Sequence, residues 1–329
     1  MYIERVDPAS PDRRIIAIAA GMLREGRLVA FPTETVYGLG ANALDGAAVE
    51  KIYHAKGRPS YNPLIVHVAS AAHAREVVAT WTEAADALAR HFWPGPLTLV
   101  LPKLPNVPDG VTAGLPNVAV RVPSHPVARA LLNAAALPVA APSANKSTEV
   151  SPTTGQHVAK SLGNAVDLIL DAGPTTVGIE STVIDLSSSI PTLLRPGSIS
   201  IPQLEAIVGE VRLASDVSGA AARPSPGMLD KHYAPHARVI VVDASEMGHV
   251  IHRERDAQHR VGIIAIGVGP SLADESIILP NNALGYAARL YDALHSLDDR
   301  SCDVIVIERV PDEPSWMGIA DRIRRAATR

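Results

Sequence analysis

The stretch KGRPSYNPLIVHV, residues 56–68, connects the end of a helix to a buried strand and so sets the pattern of the first half of the chain. Gly57 ends a helix predicted over Gly46–Lys56, because glycine readily adopts the left-handed conformation that closes many helices. The apolar run Leu64–Val68 predicts a core strand. A helix followed closely by a buried strand is typical of an α/β fold.

The same stretch carries three side chains that could take part in chemistry. Lys56 and Arg58 flank a glycine at the helix end, and two cations so close can surround a polyphosphate and offset its charge. A plainer alternative is that Lys56 only complements the negative end of the helix dipole. His67 alternates with two valines, and a lone histidine in a strand is more often structural than functional.

Outward from this stretch, apolar runs alternate with helical periods through the first 210 residues. One helix is predicted from the cap Ser10 to about Gly26, and a long one over Ala71–Phe92. Strands are predicted over Leu28–Phe31, Leu97–Leu101, Val118–Val122, Val139–Ala141, Val166–Leu170 and Thr182–Leu186. Helices between strands indicate an α/β fold, and the unequal connections favour a twisted mixed sheet over a strictly parallel one.

The periodicity stops over residues 211–236, which are rich in proline, glycine, serine and alanine, and this predicts a linker. A second, compact α/β pattern follows. It has strands over Val239–Val242, Val261–Ile266 and Val304–Ile307, and helices over Gly285–Leu297 and Gly318–Ala327. We therefore predict a domain over residues 1–210, a linker or lid over 211–238, and a smaller Rossmann-like α/β domain over 239–329.

Composition excludes several classes of protein. The 329 residues are 47% hydrophobic, which allows a large core, and a net charge of −4 disfavours a dominant nucleic-acid surface. Cys302 is the only cysteine, so internal disulfides and cysteine-based metal sites are excluded. His232 and His236 stand four residues apart, which is too little to predict a zinc site. Neither a signal peptide nor a long apolar run is found, so we expect a cytoplasmic protein without a membrane span.

Several further segments combine glycine, hydroxyl and charged residues as ligand-binding loops do. They are FPTETVYGLGANA (31–43), VAVRVPSHP (118–126), PSANKSTEVSPT (142–153), ESTVIDL (180–186), LLRPGSIS (193–200) and PGMLDKHYAPHA (226–237). Arg121 lies within a strand, where its fork suits a substrate carboxylate or, alternatively, an acidic neighbour in an internal salt bridge. The loop after residue 141 suits a phosphate, although an ordinary capping loop has the same composition. The last segment is a candidate lid, or it simply docks the two domains.

Taken together and in this order, KGRPxxNPLIVHV, PSANxS…SPT, ESTV and LRPG resemble the Sua5/YrdC/YciO family in its two-domain Sua5 form. The resemblance implies a YrdC-like catalytic domain at 1–210 and a Sua5 C-terminal domain at 239–329. It also implies a nucleotidyltransferase that converts L-threonine, bicarbonate and ATP to threonylcarbamoyl-AMP and pyrophosphate. That product would pass to a downstream tRNA threonylcarbamoyltransferase for the t6A modification of adenosine 37 in tRNA.

The resemblance assigns roles to particular residues. Threonine would be bound by Thr35, His67, Arg121 and Ser181, with the backbone near Ala141. ATP would contact Lys56, Arg58, Asn62, Asn117, Ser143, Ser151, Arg195 and Tyr233. The catalytic group that surrounds the phosphates and the carbamate would be Lys56, Arg58, Ser143 and Asn145. Mg²⁺ would be bound mainly through phosphates and waters, with no metal site made by the protein.

The chain departs from the family pattern at four positions, which are Asn117, Thr148, Leu229 and Asp230.

Two other classes of protein fit the sequence less well. An RNA-binding module with a concave basic face conflicts with the acidic composition, so direct tRNA binding is expected to be weak or absent. The related domain of hydrogenase maturation proteins occurs with cysteine-rich zinc fingers, and the single cysteine argues against it.

Overall fold

The computed structural model describes residues 2–214, 234–267 and 272–328. The first half folds around an eleven-stranded sheet with β1 (Tyr2–Arg5), β2 (Val29–Pro32), β3 (Tyr37–Asn42), β4 (Ile65–His67), β5 (Leu97–Pro102), β6 (Asn117–Arg121), β7 (Val139–Ala140), β8 (Leu168–Asp171), β9 (Thr182–Asp185), β10 (Thr192–Arg195) and β11 (Arg212–Leu213). Their spatial order is β1-β8-β2-β3-β7-β4-β6-β5-β9-β10-β11. β4 and β6 pair in parallel, whereas β2 and β3 pair antiparallel, so the predicted mixed sheet is confirmed.

Helices connect and cover these strands. They are α1 (Arg13–Arg24), α2 (Gly46–Lys56), α3 (Ala71–Ala74), α4 (Glu83–Phe92), α5 (Asp109–Thr112), α6 (Pro126–Ala135), α7 (Gly155–Leu162) and α8 (Ile201–Val208). α2 has the predicted bounds and ends at Gly57, whose φ of 57° is left-handed. α1 is capped by Asp12 rather than Ser10. Across the described parts of the chain, no helix has both the length and the apolar character needed to cross a membrane.

The single long helix predicted over Ala71–Phe92 is wrong. The structure has the short helix α3 and then a non-helical segment before α4. Val77 and Val78 are buried in that segment. Thr82 then caps α4, where its hydroxyl accepts a hydrogen bond of 3.1 Å from the Ala85 amide. Two β-branched residues are buried here without helical backbone, because tertiary packing outweighs the helical period of the sequence.

The segment 31–43 forms most of a β-hairpin, whereas the sequence predicted only its first strand. β2 and β3 pair antiparallel with Val29 opposite Gly40. A Cβ atom on Gly40 would lie 2.8 Å from the Phe31 ring and 3.1 Å from the Val29 carbonyl oxygen. Close packing between the two strands therefore requires this glycine. The turn at residues 33–36 carries the polar side chains Thr33, Glu34 and Thr35.

The second half folds around four parallel strands, β12 (Arg238–Val242), β13 (Val261–Ile266), β14 (Glu275–Leu279) and β15 (Val304–Glu308), in the order β12-β15-β13-β14. Helices α9 (Met247–Asp256), α10 (Ala283–Asp299) and α11 (Met317–Ala327) complete it. A parallel sheet with helices confirms the predicted Rossmann-like α/β architecture. Val36, Val150 and Ile179 of the first half share a buried cluster with apolar residues of α10 and α11. The two halves therefore pack through one continuous hydrophobic interface.

Candidate active site

One cavity in the first half collects most of the residues that the family resemblance assigns. The cavity is narrow, with an interior volume of about 40 Å³, and polar side chains make up much of its wall. It is lined by Thr33, Thr35, Val36, Gly38, Arg58, Ile65, His67, Arg121, Ala141, Pro142, Ser143, Glu180, Ser181 and Arg195. Eight predicted site residues are among these: Thr35, Arg58, His67, Arg121, Ala141, Ser143, Ser181 and Arg195.

Arg121 is the last residue of β6 and is 3% exposed. Its Nη1 donates to Thr35 Oγ1 at 2.9 Å, and its Nε donates to the Gly95 carbonyl oxygen at 3.2 Å. Its Nη2 lies 2.8 Å from Glu34 Oε1 in a buried salt bridge. The internal ion pair considered from the sequence therefore exists. Because a guanidinium carries five N–H donors, these partners leave capacity for a ligand anion in the cavity.

Glu34 belongs to this site through its salt bridge with Arg121, a role that the sequence did not predict. Burial raises the pKa of its carboxyl, but the charge and hydrogen bond of Arg121 outweigh burial and hold the pKa below its usual value. The Ser124 amide also donates to Glu34 Oε2 at 3.1 Å. The carboxylate stays ionised at neutral pH and fixes the arginine. One feature of the sequence could have revealed this role, because Glu34 is an acidic residue between the neutral hydroxyl side chains of Thr33 and Thr35.

His67 lies in β4 beside Arg121 and is 3% exposed. Its ring packs edge-on against Phe31 with centroids 6.2 Å apart, and its Nδ1 lies 3.3 Å from the Ile65 carbonyl oxygen. Burial, assisted by the charge of Arg121, lowers the pKa of His67 to about 3. The imidazole is therefore neutral at physiological pH and suits hydrogen bonding to a polar ligand better than binding an anion.

The neutral state of His67 predicts that the fold loses stability in acid. The pKa falls from 6.5 to about 3 on folding, so between these pH values only the unfolded chain binds the proton. The free energy of unfolding should decrease as the pH falls below 6.5, by about 1.4 kcal/mol per pH unit for this histidine. Chemical denaturation at pH 7 and pH 5 measures the loss. His67→Gln should lose about 2 kcal/mol less over that interval, and equal losses in both proteins would contradict the prediction.

Ser181 and Arg195 form a second polar group of the cavity. Arg195 donates to the Ser181 hydroxyl from Nη2 and to the Ser181 carbonyl oxygen from Nε, both at 3.1 Å. The Ser181 hydroxyl also lies 2.7 Å from Thr98 Oγ1, a contact that the sequence did not reveal. β5 brings Thr98 there because it pairs in parallel with β9. Within the described part of the chain, the hydroxyl of Ser181 contacts an arginine and a threonine and has no histidine as a hydrogen-bond partner, which suits ligand binding rather than nucleophilic attack.

Arg58 lines the cavity and is oriented by its own loop. Its Nε donates to the Asn62 carbonyl oxygen at 3.0 Å, and its Nη2 donates to the Pro63 carbonyl oxygen at 2.8 Å. The left-handed Gly57 turns the chain so that Arg58 follows the helix directly. The buried Asn62 Nδ2 has no hydrogen-bond partner among the described residues. A buried donor without a protein partner needs a ligand or a water to satisfy it, which fits the predicted role of Asn62.

Lys56 lies behind the cavity wall and connects two of its segments. Its Nζ donates to the carbonyl oxygens of Ser143, at 2.5 Å, and Asn145. Burial, together with the nearby charge of Arg58, lowers the pKa of Lys56 below its usual value. The lysine therefore does more than complement the helix dipole, since it ties the end of α2 to the loop 143–147.

That loop carries two further buried polar atoms. Asn145 Oδ1 and Ser147 Oγ lack hydrogen-bond partners within the described chain, while Asn145 Nδ2 donates to the Glu149 carbonyl oxygen at 2.8 Å. Thr148 adopts a φ of 75°, which is strained for a β-branched residue. A glycine would adopt this conformation without strain, so the threonine here has a physical cost.

Ser151 is fully buried, and its hydroxyl donates to Glu180 Oε1 at 2.6 Å. Glu180 lines the cavity, and the sequence reading missed it. Its Oε2 accepts hydrogen bonds from Tyr291 at 3.0 Å and from Arg322 Nε at 2.8 Å. Burial raises the pKa of Glu180, but Arg322 and Arg195 outweigh burial and lower it overall. The second half of the chain thus reaches the cavity wall.

Five of the predicted site residues that the structure describes do not line the cavity, namely Lys56, Asn62, Asn117, Asn145 and Ser151. Asn117 is the first residue of β6, four positions from Arg121, or about 13 Å along the strand, and it does not line the cavity. Tyr233 lies outside the described residues, as do Leu229, Asp230 and His232. Within residues 2–214, 234–267 and 272–328, no three His, Cys, Asp or Glu side chains form a group suited to a metal.

Known proteins resemble both halves of the chain. A family model for Sua5, YciO and YrdC, described as telomere recombination, matches residues 21–197. A second model, described as the threonylcarbamoyl-AMP synthase C-terminal domain, matches residues 199–328. The threonylcarbamoyl-AMP synthase of Pyrococcus abyssi is 45% identical over 320 residues, which cover 95% of this chain and 94% of the relative. That of Bacillus subtilis is 43% identical over 334 residues, with 99% and 96% covered.

A solved structure agrees with these relatives. The crystal structure of P. abyssi Sua5 complexed with L-threonine superposes on this chain with a TM-score of 0.95 at 43% identity, covering 99% of this chain and 98% of that one. The similarity therefore extends over both sheets and over the segments of the first half that line the cavity. The chain belongs to the Sua5/YciO/YrdC family, among the members that carry the Sua5 C-terminal domain.

Proposed function

We propose that this chain is a threonylcarbamoyl-AMP synthase, a nucleotidyltransferase that converts L-threonine, bicarbonate and ATP to threonylcarbamoyl-AMP and pyrophosphate. The observation that carries the proposal is the cavity in which Arg58, Arg121 and Arg195 meet hydroxyl side chains. Relatives that match nearly the whole chain bear this name, and one of them was crystallised with L-threonine. The product would pass to a tRNA threonylcarbamoyltransferase for t6A modification.

Threonine would occupy the end of the cavity near Arg121. Remaining donors of its guanidinium would bind the carboxylate, as the fork geometry favours. Thr35, His67 and Ser181 would surround the amine and the hydroxyl, with the backbone at Ala141 alongside. The buried contact between Arg121 and the Glu34 carboxylate would keep the guanidinium in one orientation.

The reaction needs no covalent bond to the enzyme. The neutral amine of threonine would attack carbon dioxide, which bicarbonate gives by losing hydroxide, and the proton released by the amine would combine with that hydroxide as water. A carbamate oxygen would then attack the α-phosphorus of ATP in line with the departing pyrophosphate. Arg58 and Arg195 would offset the charge on the phosphates within a wall of low dielectric. Lys56, Ser143 and Asn145 would hold the loop beside the reacting groups. Catalysis would therefore consist of positioning and charge neutralisation.

ATP would enter as its Mg²⁺ complex. The carboxylates nearest the cavity already have cationic partners, since Glu34 pairs with Arg121 and Glu180 pairs with Arg322. Magnesium commonly keeps several waters and binds through substrate phosphates. This donor set fits an ion carried in by the nucleotide.

An omission assay tests the proposed function. Purified protein with ATP and Mg²⁺ should release pyrophosphate only when threonine and bicarbonate are both present, because the carbamate is the nucleophile. Mass spectrometry should detect the threonylcarbamoyl adenylate in the complete mixture and in neither omission. Release that does not depend on threonine, or no release from the complete mixture, would refute the proposal.

Two further features, tRNA binding and the domain division, remain predictions from the sequence. Direct tRNA binding is expected to be weak or absent, because the net charge of the chain is −4. The division into a domain at 1–210, a linker or lid at 211–238 that includes Tyr233, and a domain at 239–329 also remains a prediction.

A further inference from the structure

We propose that Arg322, in α11 of the second half, is a positioning residue that compensates the charge of Glu180 in the cavity wall and thereby permits ATP to bind. The inference rests on the proposed function, because it explains how the affinity for that nucleotide is maintained. It gives the second half of the chain a specific part in the site, through side chains that do not themselves line the cavity.

The contact between Arg322 and Glu180 is buried on both sides. The Arg322 side chain is 0% exposed and that of Glu180 is 8% exposed. Ser151, Tyr291 and Arg322 all donate hydrogen bonds to the Glu180 carboxylate. Only Arg322 among these three donors carries a charge. Removing one partner of a buried ion pair leaves an uncompensated charge, which is far more costly than losing an exposed pair.

The charges in the wall explain why this matters for a polyphosphate. Among the described residues that line the cavity, the ionised groups are Arg58, Arg121, Arg195 and Glu180. Arg322 compensates Glu180 from outside the lining. Without it, Arg195 and Lys56 would be the cations whose charges act on Glu180, and only Arg195 of these two lines the cavity. Glu180 would then repel the phosphates and compete with them for Arg195.

Arg322 also contacts the backbone of the two segments that carry Ser181 and Arg195. Its Nη2 donates to the Glu180 carbonyl oxygen at 3.3 Å, and its Nη1 donates to the Pro196 carbonyl oxygen at 2.7 Å. These contacts hold the guanidinium beside the Glu180 carboxylate. The arginine is thus placed so that its charge acts on this wall.

The packing around Arg322 keeps it in this position. A Cβ atom on Gly318, one turn earlier in α11, would lie 2.5 Å from the Gly197 carbonyl oxygen, so helix and loop meet backbone to backbone. Asp321 also contacts Arg322, but Arg324 and Arg325 pair with it as well. Loss of Arg322 would therefore leave Glu180, rather than Asp321, without its main cation.

Isothermal titration of the full chain with ATP and, separately, with threonine tests the inference. Arg322→Met should weaken ATP binding roughly 10-fold or more, because ATP carries several negative charges. Threonine has no net charge, so its affinity should change less than about 3-fold. Glu180→Gln combined with Arg322→Met should bind ATP within about 3-fold of Glu180→Gln alone, because the charge that needs compensation is gone. The matched control is Arg324→Met, an exposed arginine of the same helix, which should bind both ligands normally.

Several results would overturn the inference. These are an Arg322→Met protein that binds ATP as well as Arg324→Met does, equal losses for ATP and threonine, or no recovery of ATP binding when Glu180 is also replaced. If the Arg322→Met protein does not fold, the ATP affinity of Glu180→Gln compared with that of the double variant still tests the inference. A further 10-fold loss in the double variant would show that Arg322 does not act through Glu180. An unchanged protein that binds neither ligand would instead refute the proposed function.

Discussion

The Arg58→Ala variant should release pyrophosphate at least roughly 10²-fold more slowly than the unchanged protein in the presence of threonine, bicarbonate and ATP. Arg58 lines the cavity, and the carbonyl oxygens of Asn62 and Pro63 hold its guanidinium in place. A cation that is already oriented stabilises developing phosphate charge without reorganising. Alanine removes that charge, so steady-state pyrophosphate release measures the loss.

Lys56→Ala should slow the reaction to a similar extent by a different route. It removes the donor that joins the carbonyl oxygens of Ser143 and Asn145 to α2, so the loop beside the phosphates loses its support. The matched control for both variants is Arg90→Ala, whose side chain is 74% exposed and pairs only at the surface. Near-normal turnover in Arg58→Ala and Lys56→Ala would remove the role assigned to this pair.

Replacing Arg121 by methionine should destabilise the fold and abolish tight threonine binding together. The change leaves the buried Glu34 carboxylate without its cation, which costs about 3 to 5 kcal/mol in comparable buried pairs. It also removes the group proposed to bind the threonine carboxylate, and a charged hydrogen bond contributes about 1.5 to 3 kcal/mol, or roughly 10- to 100-fold in affinity. Denaturant unfolding and calorimetric titration with threonine measure the two effects.

The double variant Glu34→Gln with Arg121→Met separates stability from binding. It removes both charges, so it should be more stable than Arg121→Met alone, as expected when neither partner is left unpaired. Threonine binding should stay weak in it, because the carboxylate-binding group is still missing. A double variant no more stable than Arg121→Met would show that the ion pair is not the source of the loss. Normal threonine affinity in either variant would show that Arg121 does not bind the ligand.

Local signals predicted much of the fold, and tertiary packing accounts for what they missed. The bounds of α2 follow from the helical period and from Gly57, both of which are local. The helix over Ala71–Phe92 failed because Val77 and Val78 are buried against the sheet without helical backbone. β3 was missed because its glycines weaken the strand pattern, although close contact with Phe31 requires Gly40.

The site shows the same division between local and distant information. The family motifs predicted Arg58, Arg121, Ser181 and Arg195, and all four line one cavity. The partners of the buried charges were not predicted, because Arg322 lies 142 residues from Glu180 and no spacing rule connects them. Thr98 was likewise hidden, since only the pairing of β5 with β9 brings it to Ser181.

The order of strands around the proposed threonine site bears on how the chain folds. β7, β4 and β6 are neighbours in the sheet, yet β4 begins at residue 65 and β7 ends at residue 140. Closing such long loops costs entropy before the pairing compensates for it, and topologies of this kind fold slowly. We therefore expect the surface proposed to bind the amino acid to form late, together with the whole sheet, so a nascent or partly folded chain would not bind threonine there.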